Sequence, residues 1–175
     1  MTQNAPDFVD MLDACRESAV HLEMRDIYGM DDEMEGFERW KREGRREDWD
    51  DRDSWWHPFY QAIANATARG VLVRRARVVS TPVTEYIRYE HEGTQGNIIA
   101  GEHVRWLPRR QATDIAFPGN DFWLFDDRIV RINHFSGDGQ MIDEEVTEAP
   151  EVAKLCSSAF EAVWERAIPH DDFRI

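Results

Sequence analysis

Gly119–Gly139 reads GNDFWLFDDRIVRINHFSGDG, and its two apolar runs predict a β-hairpin. Phe122, Trp123, Leu124 and Phe125 form the first strand, and Asp126-Asp127 makes the turn. Ile129, Val130 and Ile132 open the return strand, which Gly137-Asp138-Gly139 ends. Aromatic and β-branched side chains fill a pleated, half-buried surface well, while Asp and Gly tolerate turn backbones, so this order of residues is a strand-turn-strand signal. Both runs are nearly continuous in apolar residues, which predicts a hairpin covered on both faces in the middle of a core.

Working outward towards the C-terminus, Gln140–Val146 adds a further strand. Val152, Leu155, Cys156, Ala159, Phe160, Val163, Trp164 and Ala167 then recur every three or four residues. That spacing predicts an amphipathic helix from about Pro150 to Ala167. Towards the N-terminus, Val104–Leu107 is a short strand ending at Pro108-Arg109-Arg110, and Gly93, Gly96 and Gly101 interrupt the stretch before it, with a turn of helix at Asn97–Ala100. Ser80-Thr81-Pro82 reads as the start of a helix running towards His91. It follows the strand Val71–Val79, VLVRRARVV. Ser54–Gly70 reads as one helix, with Ser54 as N-cap, Pro58 in the first turn and Gly70 just past the end.

The first 53 residues read as a helix over Asp7–Arg16, a half-exposed edge strand over Ser18–Tyr28, and a helix over Asp31–Gly44. A charged, solvated loop over Arg45–Asp53 follows. In the strand, Val20, Leu22 and Met24 alternate with His21, Glu23 and Arg25. The expected architecture is a single α/β domain over residues 1–175. Its core (54–175) is a mixed central sheet with flanking helices, beside an acidic helix–strand–helix extension (1–53).

The charge is uneven. The whole chain carries a net -14, but residues 54–118 are net +3 between acidic ends. An acidic surface repels phosphate backbones and anionic lipid, so direct nucleic-acid binding and membrane association are not expected. Met1–Arg16 carries acids within a helical pattern and no secretory signal, and no long apolar run is present, which points to a cytoplasmic protein. Cys15 and Cys156 lie far apart in helical patterns and are expected as buried free thiols.

The hairpin, RGVLVRRARVVS before it and AFEAVWERAIPH after it resemble an uncharacterised family of actinobacterial proteins of unknown function, the motifs NDFWLFDD, HFSGDG and EAVWERAIPH being the most specific. Members of that family look like the sensor-like C-terminal half of actinobacterial helix-turn-helix regulators. More distantly, the strand–Asp-Asp–strand pattern is similar to the core hairpin of phospholipase D-like domains, which implies a degenerate phospholipase D-like half. In those enzymes a His-x-Lys pair precedes the acidic turn. Here Phe122-Trp123-Leu124 stands in its place, so the resemblance implies fold and not phosphodiester chemistry.

Two accounts of the basic middle segment stay open. Its arginines pair with acids from the chain ends, or they line a pocket for a small anion. The pocket would use Arg75 and Arg77, which period two places on one face, with Ser80 and Thr81 at the helix start and Arg88, Arg109 and Arg110 nearby. His134, at a strand end, is the candidate general base. Asp126-Asp127 with Asp138 or Asp143 could ligate a metal, but turn chemistry explains the pair, and neither a metal nor a cofactor is expected. Trp40 and Trp55-Trp56-His57 are core or a partner-binding patch. The expected function is a non-enzymatic regulatory or ligand-sensing module acting through a protein partner. That partner is a helix-turn-helix regulator or a second copy of the chain, and a small anion is the expected ligand. The alternative is a small enzyme acting on an anionic metabolite, with His134 beside the arginine pocket.

Overall fold

The computed structural model describes residues 6–175, leaving the first five residues of the N-terminal segment outside the described residues. In chain order the elements are α1 (Phe8–Ala14), β1 (Ser18–Glu23), α2 (Asp31–Glu43), the short α3 (Arg52–Trp55), α4 (Pro58–Ala68), β2 (Leu72–Val79), α5 (Glu85–Ile99), β3 (His103–Pro108), β4 (Asp121–Phe125), β5 (Ile129–Phe135), β6 (Met141–Thr147), α6 (Pro150–Arg166) and β7 (Ile168–Pro169). The strands form one seven-stranded mixed sheet in the order β6-β5-β4-β1-β2-β3-β7. β1, β2 and β3 run parallel, and the other pairings are antiparallel.

The hairpin forms as its sequence predicts. Asp126 and Asp127 adopt φ of 49° and 51°, as the type I′ turn requires, and Arg128 N–H closes it onto Phe125 O at 3.0 Å. The Asp126 carboxylate also accepts from the backbone N–H groups of Arg16, Glu17 and Ser18 at 2.8–3.1 Å. The turn is thereby tied to the chain entering β1, and Asp126 is occupied as a hydrogen-bond acceptor. All five residues of β4 are buried.

Alternation divides the sheet into two faces. Val20, Leu22, Ala76, Val78, Phe122, Leu124 and Val130 pack beneath the apolar stripe of α6, which contributes Ala153, Cys156, Ala159, Phe160 and Val163. The opposite face is covered at one end by α1 and α4, through Leu12, Ile63 and Ala66 against Ala19, Val73 and Phe125. At the other end α2 and α5 place Phe37, Tyr86 and Tyr89 near Val104 and Trp106.

Several expectations are corrected here. β1 is not an edge strand: it is the fourth of seven, paired on both sides. Of its polar positions His21 is buried and Glu23 largely so, because the face they occupy is itself roofed. Among the described residues, 6–53 are therefore tied into the sheet through β1 and do not form an extension beside it. Ser54–Gly70 is not one helix. The chain breaks at Trp56-His57, α4 starts at Pro58, and Ser54 Oγ donates to Asp51 O at 2.7 Å without capping α4. Ser80-Thr81-Pro82 does not start a helix either: α5 begins at Glu85 behind the Thr84 cap, whose hydroxyl accepts from Ile87 N–H at 3.1 Å. Gly93 and Gly96 lie inside α5, because a Cβ at Gly93 would collide with the Arg46 guanidinium and one at Gly96 would come within 2.6 Å of the Tyr60 ring. The Arg45–Asp53 run is not merely a solvated loop, since Arg46 leaves it to enter the interior. No helix of the described residues is long and apolar enough to cross a membrane.

Candidate functional site: a charged cavity over the sheet

Between the two apolar clusters on the roofed face lies a cavity of about 700 Å³. Strand register explains its floor. One row across the sheet reads Ile129, Phe125, Ala19, Val73 and is apolar. The next reads Arg131, Trp123, His21, Arg75. In the third, Asn133 faces Asp121 and Glu23 faces Arg77. The same alternation that gives one greasy face thus lays two polar rows side by side on the other, and α2, α5 and the Arg46 loop close over them.

The buried charges are ordered as an alternating ladder. Arg46 Nη1 meets Glu90 Oε1 at 2.8 Å, and Glu90 Oε2 meets Arg77 Nη1 at 3.2 Å. Arg77 Nε lies 2.6 Å from Glu23 Oε2, and Glu23 Oε1 lies 2.5 Å from Arg75 Nη1. Arg75 Nε then donates to Glu102 Oε1 at 2.8 Å, and Asn97 Nδ2 donates to Glu102 Oε2 at 2.7 Å. Burial, the strongest single influence on Glu23, works to raise its pKa, but Arg77 and Arg75 together hold it well below the ordinary carboxylate range. Glu90 is lowered by Arg46 and Arg77, again against burial. Its neighbour Glu33 goes the other way: burial, then the charge of Glu90, pushes it up to about 9.

His21 stacks on Trp123 at 4.4 Å with ring planes 5° apart. Its Nδ1 lies 2.7 Å from Phe122 O and its Nε2 3.2 Å from Glu23 Oε1. Both partners are acceptors, so only the doubly protonated ring donates to both. Asp121 accepts from Met24 N–H at 2.9 Å and from the Tyr28 hydroxyl. Burial pushes the Asp121 carboxyl up to about 6, and burial, then the Asp121 charge, raises Tyr28.

Of the residues expected to bind an anion, Arg75 and Arg77 do share a face and line this cavity, but both are already neutralised by carboxylates. Ser80 and Arg109 converge elsewhere, around the Asp26 carboxylate. Ser80 N–H and Oγ donate to it at 2.8 and 2.6 Å, and Arg109 Nη2 lies 3.7 Å away. Thr81, Arg88 and Arg110 are exposed, away from the cavity. The pairing account of the basic middle segment is therefore the one that fits: acids from both ends, Glu23, Asp26 and Glu161, meet Arg75, Arg77, Arg109 and Arg74. His134 is corrected as a partner of the arginines. It alternates with Val130 and Ile132 onto the α6 side of β5 and faces Glu145 at 3.2 Å, while Asn133 and Phe135 face the cavity. Trp55 is core, and Trp40 packs on Phe37 and Tyr89 while donating to Glu92 Oε2 at 2.6 Å. Asp138 bonds Ser136 in the β5–β6 turn, and Asp143 lies on β6. Sequence reasoning missed His21, Arg46, Glu90, Asp121 and Asn133. The alternation of polar with apolar residues in β1 carries a signal for them, but alternation describes a solvent-facing row equally well.

No curated protein matches the sequence. Residues 6–175 match the family described as "Domain of unknown function (DUF6879)". The chain belongs to the DUF6879 family. Among solved structures, this DUF6879 chain is similar to NucT from Helicobacter pylori, at 14% identity and a TM-score of 0.52 over 92% of this chain and 87% of that one. It is also similar to Nuc from Salmonella typhimurium, described as a phospholipase D family member, at 14% identity and a TM-score of 0.47 over 95% and 88%. A third likeness is to TrmBL2, described as an archaeal chromatin protein with a novel mode of DNA binding, at 13% identity and a TM-score of 0.48, covering 91% of this chain and 47% of that one. At such identities the likeness concerns fold alone: the DUF6879 domain is a mixed α/β sheet with flanking helices. At the place of the His-x-Lys pair, Phe122 and Leu124 point into the α6 core and Trp123 into the cavity floor. Nothing of phosphodiester chemistry is carried over.

Proposed function

We propose that this DUF6879 domain is a ligand-sensing module. A compact polar molecule enters the cavity over the sheet, and occupancy is passed to a protein partner. The observation that carries this reading is the cavity itself. Its floor carries a ladder of paired buried charges, and its roof is built from segments far apart in sequence, α2, α5 and the Arg46 loop. A ligand bridging floor and roof would stabilise their closure, which is the differential contact a sensor needs. The partner proposed is a helix-turn-helix regulator or a second copy of the chain, because the net charge of -14 argues against the domain contacting nucleic acid itself. An enzyme built on His134 and the arginines is not supported, since they lie on opposite faces of the sheet.

Protein-observed NMR with a small-molecule library tests the reading. Binders are expected to shift residues of the β1, β2 and β4 floor together with α2, and to alter recovery of a regulator in affinity capture. A library without any binder at the cavity, together with a chain that sediments as a monomer and captures no partner, would overturn it.

A further inference from the structure

The cavity treats its carboxylates unequally. Glu23 and Glu90 each touch two guanidinium groups and Glu102 touches one. Asp121 is 97% buried, being 3% exposed, yet no Arg, Lys or His among the described residues forms an ion pair with it. Its hydrogen bonds come from a neutral phenol, Tyr28, and a backbone N–H, Met24. His21, the nearest titratable base, is committed to Phe122 O and Glu23. Directly across the β4–β5 ladder stands Asn133, itself 8% exposed. It lines the cavity, and its side-chain amide makes no hydrogen bond among the described residues. A buried carboxylate without a counter-ion is costly, and the Asn133 amide beside it is open to whatever fills the cavity. Finding both together in one open volume calls for an occupant that supplies positive charge and hydrogen-bond donors.

Given the reading of the cavity as a ligand site, on which this inference rests, we propose that the ligand is a compact cation, an alkyl ammonium or guanidinium, seated between Asp121 and Asn133. An anion would meet arginines already neutralised. A cation would complete a floor carboxylate that no described basic side chain pairs, and its alkyl portion can lie against Phe135 and Tyr28, whose rings meet at 5.2 Å. The rim favours the same sign, because Asp32, Glu35 and Glu47 outnumber Arg39 there. Burial, with the charge of Glu23, holds Asp121 up to about 6 against the lowering by the Tyr28 hydroxyl and His21. That is the behaviour of a carboxylate short of a cation.

Putrescine and agmatine serve as cationic probes, 1,4-butanediol as the uncharged counterpart of putrescine, and citrate as the anion. The readouts are calorimetry and the Asn133 side-chain NH₂ signal. Putrescine and agmatine are expected to bind saturably and shift that signal, with affinity reduced on the order of 30-fold in Asp121→Asn and about 3- to 10-fold in Asn133→Ala. Asp121→Asn keeps an acceptor for Met24 or Tyr28, and its melting temperature reports whether it folds. Should it not fold, Asn133→Ala carries the test alone. Binding of butanediol or citrate at Asn133 without the cations would refute the cation while keeping the pocket. Cations that bind equally well to both variants, or that leave Asn133 unmoved, also refute it. If butanediol and citrate leave the cavity untouched as well, the pocket reading falls with it.

Discussion

Glu23→Gln is the most informative single perturbation of the ladder. The substitution preserves shape and removes one negative charge from between two buried arginines. Arg75 and Arg77 have side chains 7% and 6% exposed, and they meet Glu23 at 2.5 and 2.6 Å. Removing one partner of a buried ion pair costs about 3–5 kcal/mol, because the other charge is left desolvated. Here each arginine keeps a second carboxylate, Glu102 or Glu90, so the lower end, about 3 kcal/mol, applies. For a chain of this size that is a fall in melting temperature of about 6–12 °C. The control is Glu161→Gln. Glu161 also holds an arginine at 2.6 Å, but its side chain is 54% exposed, and such surface pairs contribute about 0–1 kcal/mol. Thermal and urea denaturation of the two variants beside the wild type measures the difference. Equal losses for Glu23→Gln and Glu161→Gln would refute the claim that the ladder is a buried, desolvated unit.

Three further expectations concern the same interior. Gly93→Ala, which in an exposed helix would gain about 1 kcal/mol, is expected to destabilise, because the new methyl displaces the Arg46 guanidinium from Glu90; a higher melting temperature would contradict this packing. Glu33, raised to about 9, favours the folded state fully below its ordinary value near 4.5, and that contribution is lost as pH rises through about 9. Glu33→Gln should therefore leave stability at pH 4.5 little changed and raise it at pH 8, which urea titrations at the two pH values would decide. The Cys15 and Cys156 thiols, pushed up by burial to about 12 and about 11, should react with a thiol reagent at pH 8 only as fast as the chain opens. Rapid labelling of the native protein would show that one of them is accessible.

What the sequence determined alone is what short stretches determine. The Phe122–Phe125 and Ile129–Ile132 runs around Asp126-Asp127 make a hairpin because the turn residues tolerate positive φ and the apolar runs need cover. The three- and four-residue spacing of Val152 to Trp164 makes α6 because one stripe must meet the sheet. The sharing of a face by Arg75 and Arg77 follows from the period of a strand. Tertiary structure decided the rest, since those outcomes depend on partners far away in the chain. Alternation in Ser18–Glu23 is the same for a half-exposed edge strand and for a central strand whose second face is polar, and only the pairing of β1 with β2 and β4 chooses between them. Gly93 and Gly96 read as breakers until Arg46 and Tyr60 arrive to use the space. A charge run such as Arg45–Asp53 looks solvated because nothing local shows that one arginine finds Glu90, 44 residues on. Charges act across whatever the fold brings within a few ångströms, so the ladder, the unpaired Asp121 and the cavity between them came into being only when the strands were laid side by side.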